Sequence, residues 1–143
     1  MDGGNINEIS GAVIQSAIAV HSAIGPGLLE SAYHACLAYE LRSRGHGVLE
    51  QVPIPVVYKG VKLDVGYRLD LLVDDVVVVE LKAVAVLLPI HDAQVISYLA
   101  LSGHHVGLLI NFHVPRLRDG LKRFVHALED STPFPPRPPR PPR

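Results

Sequence analysis

The spacing of hydrophobic residues predicts two helices in the first third of the chain. Apolar residues recur every three or four positions over residues 6–24, and Asn5 with Glu8 is typical of an N-cap followed by an acid one turn later. The Gly25-Pro26-Gly27 sequence must end this helix. A second helix is predicted from Leu28 to Arg44, before another glycine.

The middle of the chain changes to a β pattern. Val52–Tyr58 is apolar but contains two prolines, which predicts an edge strand or an irregular strand. Residues 63–71 alternate between apolar and polar side chains, as in a half-buried strand. Val76–Leu81 is a dense β-branched run, the predicted central strand. Turn sequences separate the three strands, so we expect them to form a meander.

The last third returns to helical spacing. Pro89 is predicted to begin a helix that extends to about Ser102, and Val106–Phe112 is a second buried strand. Apolar residues between 117 and 128 predict a final amphipathic helix. The expected fold is therefore α/β (α+β type), in the order ααβββαβα. Its central mixed sheet has about four strands and is flanked by helices.

Composition favours one globular domain, residues 1–131. The chain has 143 residues, of which 48% are hydrophobic and 19% charged. The single cysteine, Cys36, excludes an intramolecular disulfide and a cysteine-built zinc or iron–sulfur site. No signal peptide is predicted, and no apolar run approaches the roughly 20 residues of a membrane span. We therefore expect a cytoplasmic protein with no membrane partner.

The C-terminal residues 132–143 differ from the rest in composition. Seven of the twelve prolines lie there, with Arg137, Arg140 and Arg143 at every third position. We expect a disordered or polyproline II tail, in which the arginines line one edge. This edge is open to three interpretations: a solvated extension, a phosphate-binding strip, or a ligand for a proline-recognition domain. The net charge is −1, and removing these arginines leaves the domain more acidic.

A pair of carboxylates near two strand ends is the main candidate for chemistry. Asp70 lies near the end of one predicted strand, and Glu80 and Lys82 lie two apart on the next strand, so they point to one face. Burying a carboxylate is costly unless it is paired or binds a metal. Two carboxylates and a main-chain oxygen suit Mg²⁺ or Mn²⁺, and a neighbouring lysine can orient water.

This metal site depends on the hairpin register. With a two-residue Asp74-Asp75 loop, Val73 would pair with Val76, and Asp70 and Glu80 would point to opposite faces. A three-residue loop or a one-residue bulge would bring the carboxylates together. We therefore predict that the connection is not a plain two-residue turn. The alternative is a Glu80–Lys82 ion pair at a solvated strand end, with Asp70 an ordinary exposed residue.

Two helix faces carry further candidates. Glu30, on the first turn of the second helix, shares a face with Tyr33 and His34. Each candidate also has an ordinary structural interpretation, such as a favourable acid at a helix start. The helix after the central strand has three more on one face, namely His91, Gln94 and Tyr98.

Together these motifs resemble a known family. Gly27-Leu-Leu-Glu30-Ser-Ala-Tyr33 resembles the signature of the GxxExxY family, a branch of the PD-(D/E)XK nuclease-like superfamily. The resemblance covers residues 6–128. It continues through Arg68-Leu-Asp70-Leu, Glu80-Leu-Lys82, His91-Asp-Ala-Gln94 with Tyr98, and Gly107–Phe112.

The resemblance implies a restriction-endonuclease-like core and assigns roles to its residues. Asp70 and Glu80 would bind Mg²⁺ or Mn²⁺ with the Leu81 carbonyl, Glu30 would complete the acidic cluster, and Lys82 would handle the attacking water. Gln94 and Tyr98 are similar to the Gln-x-x-x-Tyr motif of RecB-like nucleases. With one cysteine, no iron–sulfur cluster is expected. The accessory candidates are Arg68, Tyr33, His34 and His91.

Two functions follow as hypotheses. The first is a metal-dependent nuclease that hydrolyses phosphodiester bonds, of DNA rather than RNA. The second is a non-catalytic module that keeps the nuclease fold and binds nucleic acid or protein, and the acidic composition favours it. Apolar helix faces and an edge strand also leave room for a homodimer.

Overall fold

A computed structural model of the protein describes residues 5–127. Three α-helices lie in this part: α1 (Ile6–Ile24), α2 (Glu30–Ser43) and α3 (Pro89–Ser102). Its seven strands are β1 (Val48–Pro53), β2 (Val56–Tyr58), β3 (Val61–Leu63), β4 (Arg68–Val73), β5 (Val77–Lys82), β6 (Val106–Asn111) and β7 (Leu121–Val125). The predicted tail and the domain boundary before it lie outside the described residues.

Local signals place the helix ends. The Asn5 side chain accepts a hydrogen bond from the Asn7 N–H at 2.7 Å and caps α1. Pro89 begins α3, and Gly103 ends it with a φ of 81°. These three positions confirm the predictions. Helix α2 begins at Glu30, two residues later than predicted, because Leu29 still has extended backbone angles.

Five strands form a mixed central sheet in the order β1-β4-β5-β6-β7. Strands β5 and β6 are parallel, and the other neighbours are antiparallel. Helices α1 and α2 cover one face, where their buried side chains form a core with Leu71, Val79 and Leu108. Helix α3 covers the other face through Val95 and Leu99. The predicted restriction-endonuclease-like α/β fold is confirmed, with five strands in the sheet instead of four.

The predicted final helix is wrong. Residues Leu117–Gly120 form one 3₁₀ turn, and β7 follows antiparallel to β6. Strand β6 is buried throughout, so its outer backbone groups need partners that only another strand supplies. Leu121 packs against the α1–α2 core and Phe124 against the α3 core. A strand with Leu121 on one face and Phe124 on the other thus produced the apolar spacing that predicted a helix.

Gly120 is expected to tolerate no side chain. A Cβ at this position would lie 2.2 Å from the carbonyl oxygen of Asn111. Gly120→Ala should therefore lower the free energy of unfolding by about 1–3 kcal/mol, because overpacking forces the backbone to shift. Gly11→Ala is the control, since nothing lies within 4 Å of its Cβ in helix α1. Urea unfolding of both variants checks this, and equal stability would contradict it.

The predicted single strand over residues 63–71 is also wrong. It divides into β3 and β4, joined by residues 64–67, where Gly66 has a φ of 90°. Leu63, Val65 and Tyr67, predicted to be buried, are 42%, 56% and 45% exposed. The predicted strand Val52–Tyr58 likewise divides between β1 and β2. Strands β2 and β3 form a separate two-stranded hairpin, and no core covers its side chains.

Candidate active site

The hairpin between β4 and β5 has the register that the sequence analysis required. Its pairs are Leu71–Val79, Leu72–Val78 and Val73–Val77, so the loop contains three residues. The loop is held from outside: the Asp74 carboxylate accepts hydrogen bonds from the Gly47 N–H at 2.8 Å and the His46 ring at 2.6 Å. The prediction of a connection other than a two-residue turn is confirmed.

Beyond the Leu71–Val79 pair, the two carboxylates replace the backbone ladder. The Leu81 N–H donates to Oδ2 of Asp70 at 2.8 Å, and the Asp70 N–H lies 3.4 Å from Oε1 of Glu80. On the other side of β4, pairing with β1 skips Asp70 where Gln51 has a φ of 53°. Strand β4 therefore lacks backbone pairing with both neighbours at Asp70. We call this break in the pairing the opening, and both carboxyl groups lie at it.

The opening is a low-dielectric environment for negative charge. Glu80 is only 5% exposed, and burial, followed by the Asp70 carboxylate, raises the pKa of Glu80 to about 8. Burial also raises the pKa of Asp70, against the hydrogen bond from Leu81. Within residues 5–127 no Glu80–Lys82 ion pair shorter than 4.0 Å occurs. The alternative of a solvated ion pair is therefore wrong.

Two predicted residues of helix α2 lie near the carboxylates, although in residues 5–127 Glu30 does not form a metal-binding group with Asp70 and Glu80. Burial and then the Asp70 charge raise the pKa of Glu30, while Lys82 and His34 lower it. Glu30 thus lies within the electrostatic field of the hairpin carboxylates. The His34 ring bonds Oε1 of Glu50 at 2.7 Å.

Glu50 and Arg42 are contacts that the sequence analysis missed. Glu50 lies on β1 and also accepts a hydrogen bond from Arg42 at 2.9 Å. These two bonds, first the one from Arg42, lower the pKa of Glu50. No sequence spacing could reveal this pair, because the fold alone places β1 beside α2.

Helix α3 contributes the Gln94–Tyr98 face. Burial, followed by the Glu80 charge, raises the pKa of Tyr98. Its ring packs against the hydrophobic cluster that contains Leu69 and Val78, which precede the carboxylates on β4 and β5. Gln94 lines the same cleft as Tyr98. His91 accepts a hydrogen bond at Nδ1 from the Leu88 N–H at 3.0 Å and so caps α3. This contact gives His91 a structural role, and an accessory role stays a prediction.

Tyr33 and Arg68 make structural contacts. Tyr33 is fully buried and stacks on Phe112, with ring centroids 4.5 Å apart. Its hydroxyl donates to the Gly25 carbonyl at 2.6 Å and accepts from the Leu28 N–H at 3.1 Å, which orients the loop before α2. Arg68 donates to the Tyr67 carbonyl at 2.9 Å and lies 3.7 Å from a carboxylate oxygen of Asp64.

A conservative substitution tests the structural role of Tyr33. Tyr33→Phe keeps the stacked ring and removes two hydrogen bonds, so we expect the free energy of unfolding to fall by about 1 kcal/mol. Tyr39→Phe on the same helix is the control, because Tyr39 is 73% exposed. Thermal and urea unfolding measure the difference. A Tyr33→Phe protein of unchanged stability would contradict the structural role.

The donor atoms at the opening suit a hard divalent cation. In residues 5–127 no three His, Cys, Asp or Glu side chains form a group that would hold an ion alone. The available oxygens are two adjacent carboxylates and the main chain at Leu81. The Glu80 carboxylate is buried, and no cationic side chain of the described residues lies within 4.0 Å of it. These residues fit Mg²⁺ or Mn²⁺ binding.

The fold and these carboxylates agree with comparison against known families. The model of the PD-(D/E)XK nuclease superfamily matches residues 7–124, and the chain belongs to that superfamily. No curated protein and no solved structure matches the chain. In the described residues, no helix is both long and apolar enough to cross a membrane.

Proposed function

We propose that the protein is a nuclease of the GxxExxY type that requires a divalent cation and hydrolyses phosphodiester bonds, of DNA rather than RNA. The observation that supports this is the opening between β4 and β5. There the Asp70 and Glu80 carboxyl groups replace the strand ladder, with Lys82 two residues further on. Superfamily membership supports nuclease chemistry in general.

In this proposal the acidic residues hold the cation. Asp70, Glu80 and the Leu81 carbonyl bind Mg²⁺ or Mn²⁺, and Glu30 completes the cluster from α2. A divalent cation bound there supplies Lewis acidity toward water and phosphate. No iron–sulfur cluster is proposed, because the chain has one cysteine.

The remaining residues act on water and substrate. The Lys82 ammonium orients the attacking water and offsets the charge that develops on the phosphate. The water oxygen bonds to phosphorus as the bond from phosphorus to the leaving oxygen breaks. The water loses a proton to solvent, and the leaving oxygen takes one up. Gln94 and Tyr98 orient the strand from α3.

Cation-dependent cleavage tests the proposal. Purified protein should cut DNA in Mg²⁺ or Mn²⁺, cut RNA more slowly, and stop in excess EDTA. Asp64→Asn is the matched control for Asp70→Asn, because Asp64 is an exposed carboxylate on the link between β3 and β4. Asp64→Asn should cut like the wild type. Cleavage that continues in EDTA would contradict the proposal.

The second candidate is a binding module that keeps the fold without cutting. The net charge of −1 favours it, because most nucleic-acid-binding domains are basic. A folded protein that binds Mn²⁺ but cuts neither DNA nor RNA would support this candidate.

Partners other than nucleic acid are also proposals. A homodimer would use an exposed apolar surface, and ultracentrifugation tests it. The arginines of the tail would bind phosphate or a proline-recognition domain, and deleting residues 132–143 should then weaken binding. A cytoplasmic location remains an expectation.

A further inference from the structure

An aromatic cleft lies between α3 and the link that precedes β4. Its volume is about 360 Å³, and it is lined by Tyr67, Ile90, Gln94, Ser97, Tyr98 and Leu101, together with Ala93. The Tyr67 and Tyr98 rings meet at 5.8 Å between centroids and 48° between planes. The cleft therefore offers two tilted aromatic rings and one side-chain amide.

The cleft lies next to the candidate active site in the fold. Tyr67 is three residues before Asp70, and its carbonyl accepts a hydrogen bond from the Ile54 N–H at 2.9 Å, which fixes the backbone there. Tyr98 packs in the same hydrophobic cluster as Leu69, the residue that precedes Asp70 on β4. A strand whose phosphates lie at Asp70 and Glu80 would therefore run close to the cleft.

The hairpin of β2 and β3, which precedes Tyr67 in the chain, carries positive charge. Lys59 and Lys62 lie on it, and neither pairs with a carboxylate within 4.0 Å in residues 5–127. The Lys59 ammonium lies 5.5 Å from the centroid of the Tyr58 ring. An acidic domain needs a local positive region to attract phosphate, and this hairpin leads directly into Tyr67.

We infer that the cleft receives one unstacked nucleobase of the strand whose phosphate lies at Asp70 and Glu80. This inference rests on the proposed function and specifies its substrate. Aromatic rings stack on any base, and the Gln94 amide can donate to or accept from a base edge. Because a base must leave the duplex to enter, single strands and frayed ends are preferred over intact duplex.

Binding without cleavage tests this inference. Single-stranded DNA oligonucleotides, each with one abasic position, are titrated against Lys82→Met protein in the presence of Ca²⁺. Adding Tyr67→Ala should weaken binding of intact DNA about tenfold, since base stacking contributes about 1–3 kcal/mol. Tyr67→Phe should bind normally. At the one position whose base enters the cleft, an abasic site should weaken binding to the parent protein by the same factor. Adding Tyr67→Ala should not weaken binding of that oligonucleotide any further.

Two further variants test whether the effect is specific to the cleft. Tyr39→Ala removes an exposed tyrosine of α2 outside the cleft and should bind like the parent. Ser97→Phe fills the cleft and keeps both tyrosines, and it should weaken binding like Tyr67→Ala. Equal losses of affinity for Tyr67→Ala and Tyr67→Phe would overturn the inference. So would a loss from Tyr67→Ala that is additive with the loss from the abasic site at every position.

The result is separable from the nuclease proposal. If the wild type cuts nothing but Tyr67 still governs binding of one base, the nuclease proposal fails and the base site stands. If the wild type cuts DNA and Tyr67→Ala binds and cuts normally, the nuclease proposal stands and the base site is overturned.

Discussion

Lys82→Met is expected to lower the rate of DNA cleavage by about 10³-fold and to leave cation binding nearly intact. Methionine keeps most of the length of the side chain but removes the ammonium group, so the attacking water and the developing phosphate charge lose their stabilisation. Removing one such group from a buried site costs about 3–4 kcal/mol of transition-state stabilisation. The measurements are single-turnover cleavage and the rise in melting temperature on adding Mn²⁺.

Asp70→Asn gives the complementary result. Its amide oxygen can still accept the Leu81 N–H, so the strand opening persists, but the negative charge is lost. We expect both cleavage and the Mn²⁺-induced rise in melting temperature to be lost, whereas Lys82→Met keeps the rise. This difference separates a cation ligand from a residue that acts on water.

Lys122→Met is the matched control for the lysine. Lys122 bonds Asp92 at 3.1 Å on the surface, and its replacement should leave cleavage unchanged. Equal cleavage by wild type, Asp70→Asn and Lys82→Met would place the activity outside this site, in a contaminant.

The features that the sequence predicted correctly are local or have a geometric requirement. Asn5, Pro89 and Gly103 set helix ends through their own backbone and side-chain chemistry. The hairpin register followed from a requirement. The carboxylates at 70 and 80 can share a site only with a three-residue loop or a one-residue bulge, and the structure has the three-residue loop. Such arguments need no knowledge of the rest of the fold.

The features that the sequence did not predict depend on distant partners. Strand β7 forms because β6 has an open edge, although the spacing of Leu121 and Phe124 also suits a helix. The break at Gln51 opens β4 beside Asp70, yet nothing in the residue type indicates a positive φ there. The sequence thus identified the carboxylates, and the fold determined the opening that brings them together.

Glu80→Gln is expected to stabilise the cation-free protein at high pH and to have little effect at low pH. In the folded chain the pKa of Glu80 is raised to about 8, above the usual 4.5. A raised pKa favours the folded state below pH 4.5, and that contribution is lost as pH rises through about 8. The glutamine carries no charge to bury, so this loss should not affect it.

The measurement is the free energy of unfolding in urea with EDTA, from pH 5 to pH 9. We expect the advantage of Glu80→Gln over wild type to grow by about 2–4 kcal/mol across this range, since one pKa unit corresponds to about 1.4 kcal/mol. Glu8→Gln, at an exposed acid on α1, should follow the wild-type curve. Parallel curves for all three proteins would contradict a buried Glu80 carboxylate. Adding Mn²⁺ in excess of the EDTA at pH 9 should restore the free energy of unfolding of the wild type. It should not raise that of Glu80→Gln, because the buried charge that destabilises the cation-free fold is also what attracts the cation.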